Sequence, residues 1–298
     1  MITDILFSAL VMTTPLILAA LGGLIHRSSG IVNVGLDGMM LLGALVAIII
    51  ASGGNWAVAL VGAGFAGGVT GWLMSLGITR LRANEIIVGL GLNIAIAGAI
   101  RFYLKAAYGS SGNLMLPDVS RLPKIDLPLP GALGAVFSGH SILTWIAWAL
   151  VPLTAWVLSR TALGLRLRAC GTSAASAAAI GLHPKRMREG AGFVAGALSG
   201  LAGAYLSIGV VGLFNEGITG GRGFIALAAF YFGANRPWAT AACALLFGIF
   251  DAVQIRLQGR GFPAELIQTL PYIMVCVVLL LLGLAARRRA QGKAASHG

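Results

Sequence analysis

Long apolar runs separated by short polar breaks set the organisation of this chain. They predict membrane-spanning segments near 5–25, 31–51, 56–79, 86–107, 142–159, 189–211, 238–257 and 266–285, with a shorter apolar run at 223–234. A full crossing needs about 20 apolar residues. The run at 223–234 is too short for that, and so is the part of the second run that follows Gly38. The pattern predicts an all-α, polytopic helical membrane protein with about nine membrane segments, two of them built on short, broken helices.

Composition agrees, because only 10% of the residues are charged, against roughly 25% in a soluble domain. No stretch reads as a separate soluble domain, so residues 1–298 are expected to form a single transmembrane domain. The 43 glycines suit helices that pack closely in lipid. The formal net charge of +12 would suit nucleic acid, but the basic residues sit in breaks between spans. Membrane orientation and contact with anionic membrane lipid account for it, and no nucleic-acid partner is expected. Arg27, Arg80, Arg82, Arg160, Arg166, Arg168, Lys185, Arg186, Arg188, Arg236 and the tail Arg287–Lys293 fall on one side if nine crossings alternate. By the positive-inside rule that side is cytoplasmic, which puts the N-terminus outside and the C-terminus inside. The proline-rich segment 108–140 then reads as an irregular external loop, and Arg101, Lys105, Arg121, Lys124, Arg222, Arg256 and Arg260 as exceptions on the outer side. Residues 1–4 lack a basic region, so no cleavable signal is expected.

The two ends of the chain resemble each other in arrangement. Residues 33–39 (NVGLDGM) answer 219–224 (TGGRGF), each before a short apolar helix; Trp56 answers Trp238; Ala83-Asn84-Glu85 answers Pro263-Ala264-Glu265. The offset stays at roughly 180–185 residues. With the alternating topology, units of about 31–107 and 217–285 start on opposite sides, which makes an inverted internal repeat. Interrupted hydrophobic segments at matching repeat positions point to a transport pathway. Irregular backbone at membrane depth is tolerated only where protein or a water-filled cavity covers it. The candidate pathway residues are therefore Asn33, Asp37 and Gly38 in the first break, Gly223 and Phe224 in the second, and the polar or aromatic residues Asn93, Tyr231 and Asp251 on neighbouring spans. Asp37 and Asp251 should face the protein interior. Asn93 can also serve as hydrogen-bonding glue between helices, Tyr231 as core, and Glu85 and Glu265 as helix-start capping residues.

A second feature is the basic, alanine-rich segment 164–182, GLRLRACGTSAASAAAIGL. Ser173 is placed to cap a short helix over Ala174, Ala175, Ala177, Ala178 and Ala179, and Gly181 and Pro184 to stop it. Such a helix can dock shallowly on another protein, or the segment can serve only as a positive loop that fixes orientation.

Enzyme chemistry finds no support. His26, His140, His183 and His297 are scattered through predicted loops and the tail; Cys170, Cys243 and Cys276 have no paired spacing. There is no HExxH, G-x-S-x-G or Walker A pattern. No catalytic residue, metal or cofactor is expected in this chain. A solute pathway remains open to three readings: a path driven by a partner ATPase, a passive channel, or an ion-coupled carrier using Asp37 or Asp251.

IVNVGLDGMMLLGA (31–44), RANEIIVGLGLN (82–93), the 164–182 segment and GRGFIALAAFYFG (221–233) together resemble the inner-membrane permeases of binding-protein-dependent ABC importers, of the branched-chain amino acid and simple-sugar type. The Asn-Glu-Ile-Ile of 84–87 is most similar to the nucleoside and simple-sugar subgroup. The resemblance covers nearly the whole chain. It implies a permease domain moving a nucleoside or simple sugar by ATP-driven alternating access in a bacterial plasma (inner) membrane. It also implies three partners: an ABC ATPase, often with both nucleotide-binding domains fused in one chain; a second permease subunit, often a different one; and an extracytoplasmic solute-binding lipoprotein. The 164–182 segment would couple to the ATPase, with Arg166, Arg168, Gly171, Ala175, Ala178 and Gly181 on it. Position 37 departs from the pattern, carrying Asp where related permeases often carry Glu.

Overall fold

The computed structural model describes residues 2–257, apart from 110, 111, 127 and 129. The expected last span (266–285), Glu265, Arg260, Cys276, His297 and the tail cations lie outside the described residues. Eleven α-helices are found among those described. They are α1 (Ile2–Ser28), α2 (Leu36–Ala51), α3 (Trp56–Arg80), α4 (Glu85–Tyr108), α5 (Gly131–Phe137), α6 (Ile142–Arg160), α7 (Ala162–Thr172), α8 (Ala174–Ala179), α9 (Pro184–Ala204), α10 (Arg222–Phe232) and α11 (Pro237–Leu257). A π-helical turn, Tyr205–Val211, extends α9. Six of these helical stretches are long and apolar enough to cross a membrane: Thr3–Ser28, Trp56–Arg80, Glu85–Tyr108, Ile142–Arg160, Pro184–Val211 and Pro237–Arg256. Two shorter apolar helices, Leu36–Ala51 and Arg222–Phe232, correspond to the two broken segments read from the sequence.

α1 runs through the centre. Its residues Leu16, Ile17, Leu18, Ala19, Ala20 and Leu21 are all fully buried, so the helix is covered on every side. That is the environment in which a helix needs no polar face. It lies antiparallel to α9, with Gly22 against Ala195 and Leu198 near its middle and Arg188 Nε donating to the Ser29 carbonyl near its end (3.1 Å). It lies antiparallel to α11 as well, with Thr13 against Gly248 and Asp4 near Arg256 (3.7 Å). α4 is the opposite case. Only Gly89, Ile96, Ile100 and Leu104 are buried, a single stripe at near-helical spacing.

The tightest packing joins α3 and α9. Ala63 faces Gly200, Gly67 faces Gly196, and Gly71 faces Gly192, each glycine backbone lying where a neighbour's side chain would begin. Lipid offers no hydrophobic gain for helix association, so close backbone approach and dispersion must hold such a pair. The rows of small residues at every fourth position make that approach possible. Side-chain polar bonds reinforce the bundle. His26 Nε2 and Ser75 Oγ lie 3.0 Å apart across α1 and α3; Thr144 bridges Thr14 and Tyr205 at 3.3 Å each.

The loop expected after Tyr108 is tied down more firmly than its prolines predict. Asn113–Leu114 (β1) pairs antiparallel with Phe214–Asn215 (β4), and Lys124–Ile125 (β2) with His140–Ser141 (β3). Ser120 N also donates to the Ala51 carbonyl (3.0 Å). The expectation that the histidines sit in loops is corrected here. His26 and His140 are buried, not loop-surface residues; each fills a slot between elements. Arg222, read from the sequence only as an exception to the charge bias on the outer side, is part-buried and paired with Asp251 within the bundle.

The glycine rows yield a stability prediction. Gly196→Val should lower the thermal unfolding midpoint of the detergent-purified protein, at a cost of about 3 kcal/mol through overpacking against Gly67. Gly91→Ala, on the open face of α4 with nothing within 4 Å, should leave the midpoint unchanged or slightly raised.

Candidate functional site

Both short helices begin on glycine. Gly35 precedes α2 and Gly221 precedes α10, and neither start has a side-chain cap of its own. The first turn of any helix leaves backbone N–H groups without partners, and within an apolar bundle each such group must be satisfied by protein. The structure does this by capping each helix from another element. Asp37, in the first turn of α2, accepts the Gly223 N–H through Oδ1 (3.1 Å) and the Thr219 hydroxyl through Oδ2 (3.2 Å). A carboxylate thus sits at the N-terminus of α10, where the helix dipole favours it. Asn93 of α4 does the same for α2: its Oδ1 accepts the Gly38 N–H (2.8 Å), and its Nδ2 donates to the Val34 carbonyl (3.0 Å).

The strap of residues 31–35 that leads into α2 is non-helical. Asn33 is fully buried and folds back on it, accepting the Gly35 N–H (3.0 Å). α4 holds the strap along one face. Glu85 Oε2 accepts the Val32 N–H (2.8 Å), Gly89 lets Val34 and Gly35 approach, and Asn93 completes the row. Residues 85, 89 and 93 are four apart and so share a helix face. Glu85 was expected to cap α4. That role belongs to Asn84, whose side chain accepts from Ile86 and Ile87 N–H (2.9 and 3.3 Å), while Glu85 reaches across to the strap.

Asp251 on α11 also faces inward. It pairs with Arg222 at 3.3 Å, and the two side chains are 8% and 19% exposed. Arg222 further donates to the Thr219 carbonyl (3.4 Å). The structure therefore brings Asn33, Asp37, Gly38, Asn93 and Gly223 into one hydrogen-bonded junction, with Asp251 beside it through Arg222. Phe224 adjoins the junction and is half-exposed. Tyr231 does not join it. It lies at the other end of α10, under the Arg27 guanidinium (4.0 Å to the ring centroid) and stacked on Phe230. Thr219 and Glu85 were missed as members of the junction; the 85-89-93 spacing was the signal that could have found Glu85.

At one end of the bundle the basic residues gather. Ser29 meets Arg188, Arg80 holds Glu189 through two bonds (2.9 and 3.3 Å), and Arg27 Nε donates to Asn235 (2.9 Å). The helix pair α7–α8 projects from this end. Ser173 accepts the Ser176 N–H (3.2 Å) as the N-cap of α8, and Gly181 turns the chain with φ +82°. Arg166, Arg168, Ala175, Ala178 and Gly181 are exposed. Gly171 is not on that free surface: it packs against the Ser28 carbonyl and Gly30, anchoring α7 to the end of α1. A cleft of about 880 Å³ opens beside it, lined by Arg27, Arg168, Gly171, Asn235, Arg236 and Trp238 among others.

Comparison with known proteins gives a consistent result. A family model described as the permease component of the branched-chain amino acid transport system matches residues 5–280. The nucleoside ABC transporter permease protein NupC of Lactococcus lactis is 30% identical, over 97% of this chain and 95% of its own. The guanosine ABC transporter permease protein NupQ of Bacillus subtilis is 29% identical, over 96% and 94%. The glucose ABC transporter permease protein TsgB13 of Haloferax volcanii is 27% identical, over 93% and 76%. No solved structure matches the chain significantly.

The junction predicts how position 93 responds to substitution. Asn93→Ala leaves both the Gly38 N–H and the Val34 carbonyl without their partner and should cost about 1–3 kcal/mol. Asn93→Asp keeps the acceptor for Gly38 but sets a carboxylate oxygen against the Val34 carbonyl, and at neutral pH should lower the unfolding midpoint at least as far as Asn93→Ala does in the same detergent.

Proposed function

The chain belongs to the family of branched-chain amino acid transport system permease components, and from that premise we propose that it forms the membrane path of an importer for a nucleoside or a simple sugar, with nucleosides favoured. It is a multi-pass inner-membrane permease, and ATP is hydrolysed on a separate subunit rather than on this chain. The preference for nucleosides rests on the relatives named for nucleoside and guanosine transport, which align over nearly their full length. One observation carries the mechanism: two short helices meet head to head through Asp37 and Gly223, inside a bundle whose basic end bears the α7–α8 pair.

The reading of the topology follows the chain directions. Residues 29–51 form one crossing, as strap plus α2, and residues 212–235 another, as strap plus α10, in the opposite sense. Together with the six long helices and a segment at 266–285 these make nine crossings. The antiparallel pairing of α3 with α9 and of α1 with α11 supports an inverted repeat. The basic end is cytoplasmic, the N-terminus outside and the C-terminus inside. The whole chain is one permease domain.

Asp37 uses both oxygens to hold Thr219 and Gly223. Its role is to position the two helix starts, with Asn33, Gly38 and Asn93 supporting it and Asp251 fixing Arg222. The exposed Phe224 and the inner-end Tyr231 are the side chains placed to meet solute along the path. The exposed face of α7–α8, with Arg166, Arg168, Ala175, Ala178 and Gly181, docks on the ATPase, and Gly171 ties that docking to α1. ATP binding draws the docking segments together, and the motion passes through Gly171 to α1 and the helix-start junction, opening the path first to one side and then to the other. A second permease subunit, different from this chain, and an extracytoplasmic solute-binding lipoprotein complete the importer.

Uptake of labelled guanosine and glucose by cells carrying the complete importer tests this. Replacing Ala175 and Ala178 together with Asp should abolish uptake while membrane abundance stays at the wild-type level; full uptake would overturn the docking assignment. Ala175→Cys should react with an impermeant thiol reagent only after cells are opened, and labelling of intact cells would reverse the orientation.

A further inference from the structure

On the basic end, an open groove of about 520 Å³ lies between α1, α6, α7 and α9. Its walls are apolar, with Ile25, Leu150, Val157, Leu167, Val194 and Leu198 among them. Along α9 it runs from Arg186 to Leu198, about 18 Å at the helical rise of 1.5 Å per residue. Half of a bilayer's hydrocarbon core is about 15 Å, so the groove is as deep as one leaflet.

Its chemistry has a direction. Arg186 is the charged residue of the lining and stands at the end nearest the basic surface. Arg160 ends the α6 wall, and Lys185 precedes Arg186; both are exposed. No carboxylate lines the groove among the described residues. Gly190 is part of the lining, and a side chain added there would meet nothing within 4 Å. The packing of this chain therefore leaves the slot unfilled. An apolar slot with a cation at its mouth is complementary to one acyl chain with a phosphate at its end.

We propose that this groove binds an anionic phospholipid of the cytoplasmic leaflet, one acyl chain between α6 and α9 and the phosphate on Arg186. The leaflet rests on the orientation proposed above. Because Leu163, Gly164 and Leu167 of α7 form one wall, the lipid braces the root of the docking pair against α9.

The test counts lipid bound to the purified full-length protein in mild detergent by native mass spectrometry, offering phosphatidylglycerol or phosphatidylcholine with the same acyl chains. The wild type should retain phosphatidylglycerol about fivefold better, the preference one surface cation confers. Arg186→Gln should bring it down to the phosphatidylcholine level. Gly190→Trp fills open space and should reduce retention of both lipids by at least about tenfold, with an unchanged unfolding midpoint; Val194→Trp, from the wall, provides a second filling variant should the first unfold. Equal retention of the two lipids by the wild type, or wild-type retention by a folded filling variant, would overturn the site. So would a photoreactive acyl chain that cross-links outside residues 150–198, or capture of a polypeptide rather than a lipid in the groove. Retention in detergent does not depend on orientation, so reversed labelling of Ala175→Cys would overturn the leaflet and leave the site standing.

Discussion

The need to satisfy backbone polar groups inside an apolar bundle governs this structure. A helix that starts at depth exposes N–H groups that water cannot reach. Gly35 and Gly221 give the chain its tight entries into α2 and α10 but bring no capping side chain. The caps come instead from Asp37 and Asn93, on other helices. Neither short helix is complete by itself: α10 needs α2, α2 needs α4, and α4 is set by the strap bond from Val32 to Glu85. The junction is thus the point at which three parts of the sequence become one object.

The small-residue rows serve a different end. Between α3 and α9 the glycines bring backbone against backbone at three levels, with Phe193, Leu201 and Ser75 filling in beside them. Where glycine meets glycine, few rotamers are left to rearrange. The same device recurs where Gly171 meets Ser28 and where Gly164 meets the end of α6. α7 thus meets α1 and α6 through backbone rather than through flexible side chains.

Much of this was legible in the sequence because the signals were local or periodic. The long spans follow from apolar runs, the two short helices from glycine-rich breaks, and the Ser173 cap from a single residue before an alanine run. Asn33, Asp37, Gly38, Asn93 and Gly223 could be singled out as pathway candidates because polar residues and irregular backbone at membrane depth have few tolerable places, and the structure joins them by hydrogen bonds. What the sequence concealed was pairing at a distance. Nothing local says that Arg222 lies beside Asp251, or that Glu85 leaves capping to Asn84 and reaches Val32 instead. Tyr231 was a pathway candidate by being aromatic, and nothing in the sequence says that it lies at the far end of α10 from the junction, under Arg27. Gly171 was placed on the coupling segment by resemblance alone; nothing local shows that its lack of a side chain lets it touch Ser28.

The central burial of α1 has a consequence for how the protein is made. α1 precedes the partners that enclose it, α9, α10 and α11, which lie far down the chain; Thr13 ends against Gly248. At a synthesis rate of roughly 5–20 residues per second, the ribosome needs on the order of ten seconds or more to supply them. During that interval α1 waits without part of its final surroundings, with Thr13, Thr14 and His26 not yet enclosed as they are in the folded chain. Its long apolar stretch makes the wait tolerable, and the late arrival of its partners makes assembly of this bundle a problem of chain order as much as of final packing.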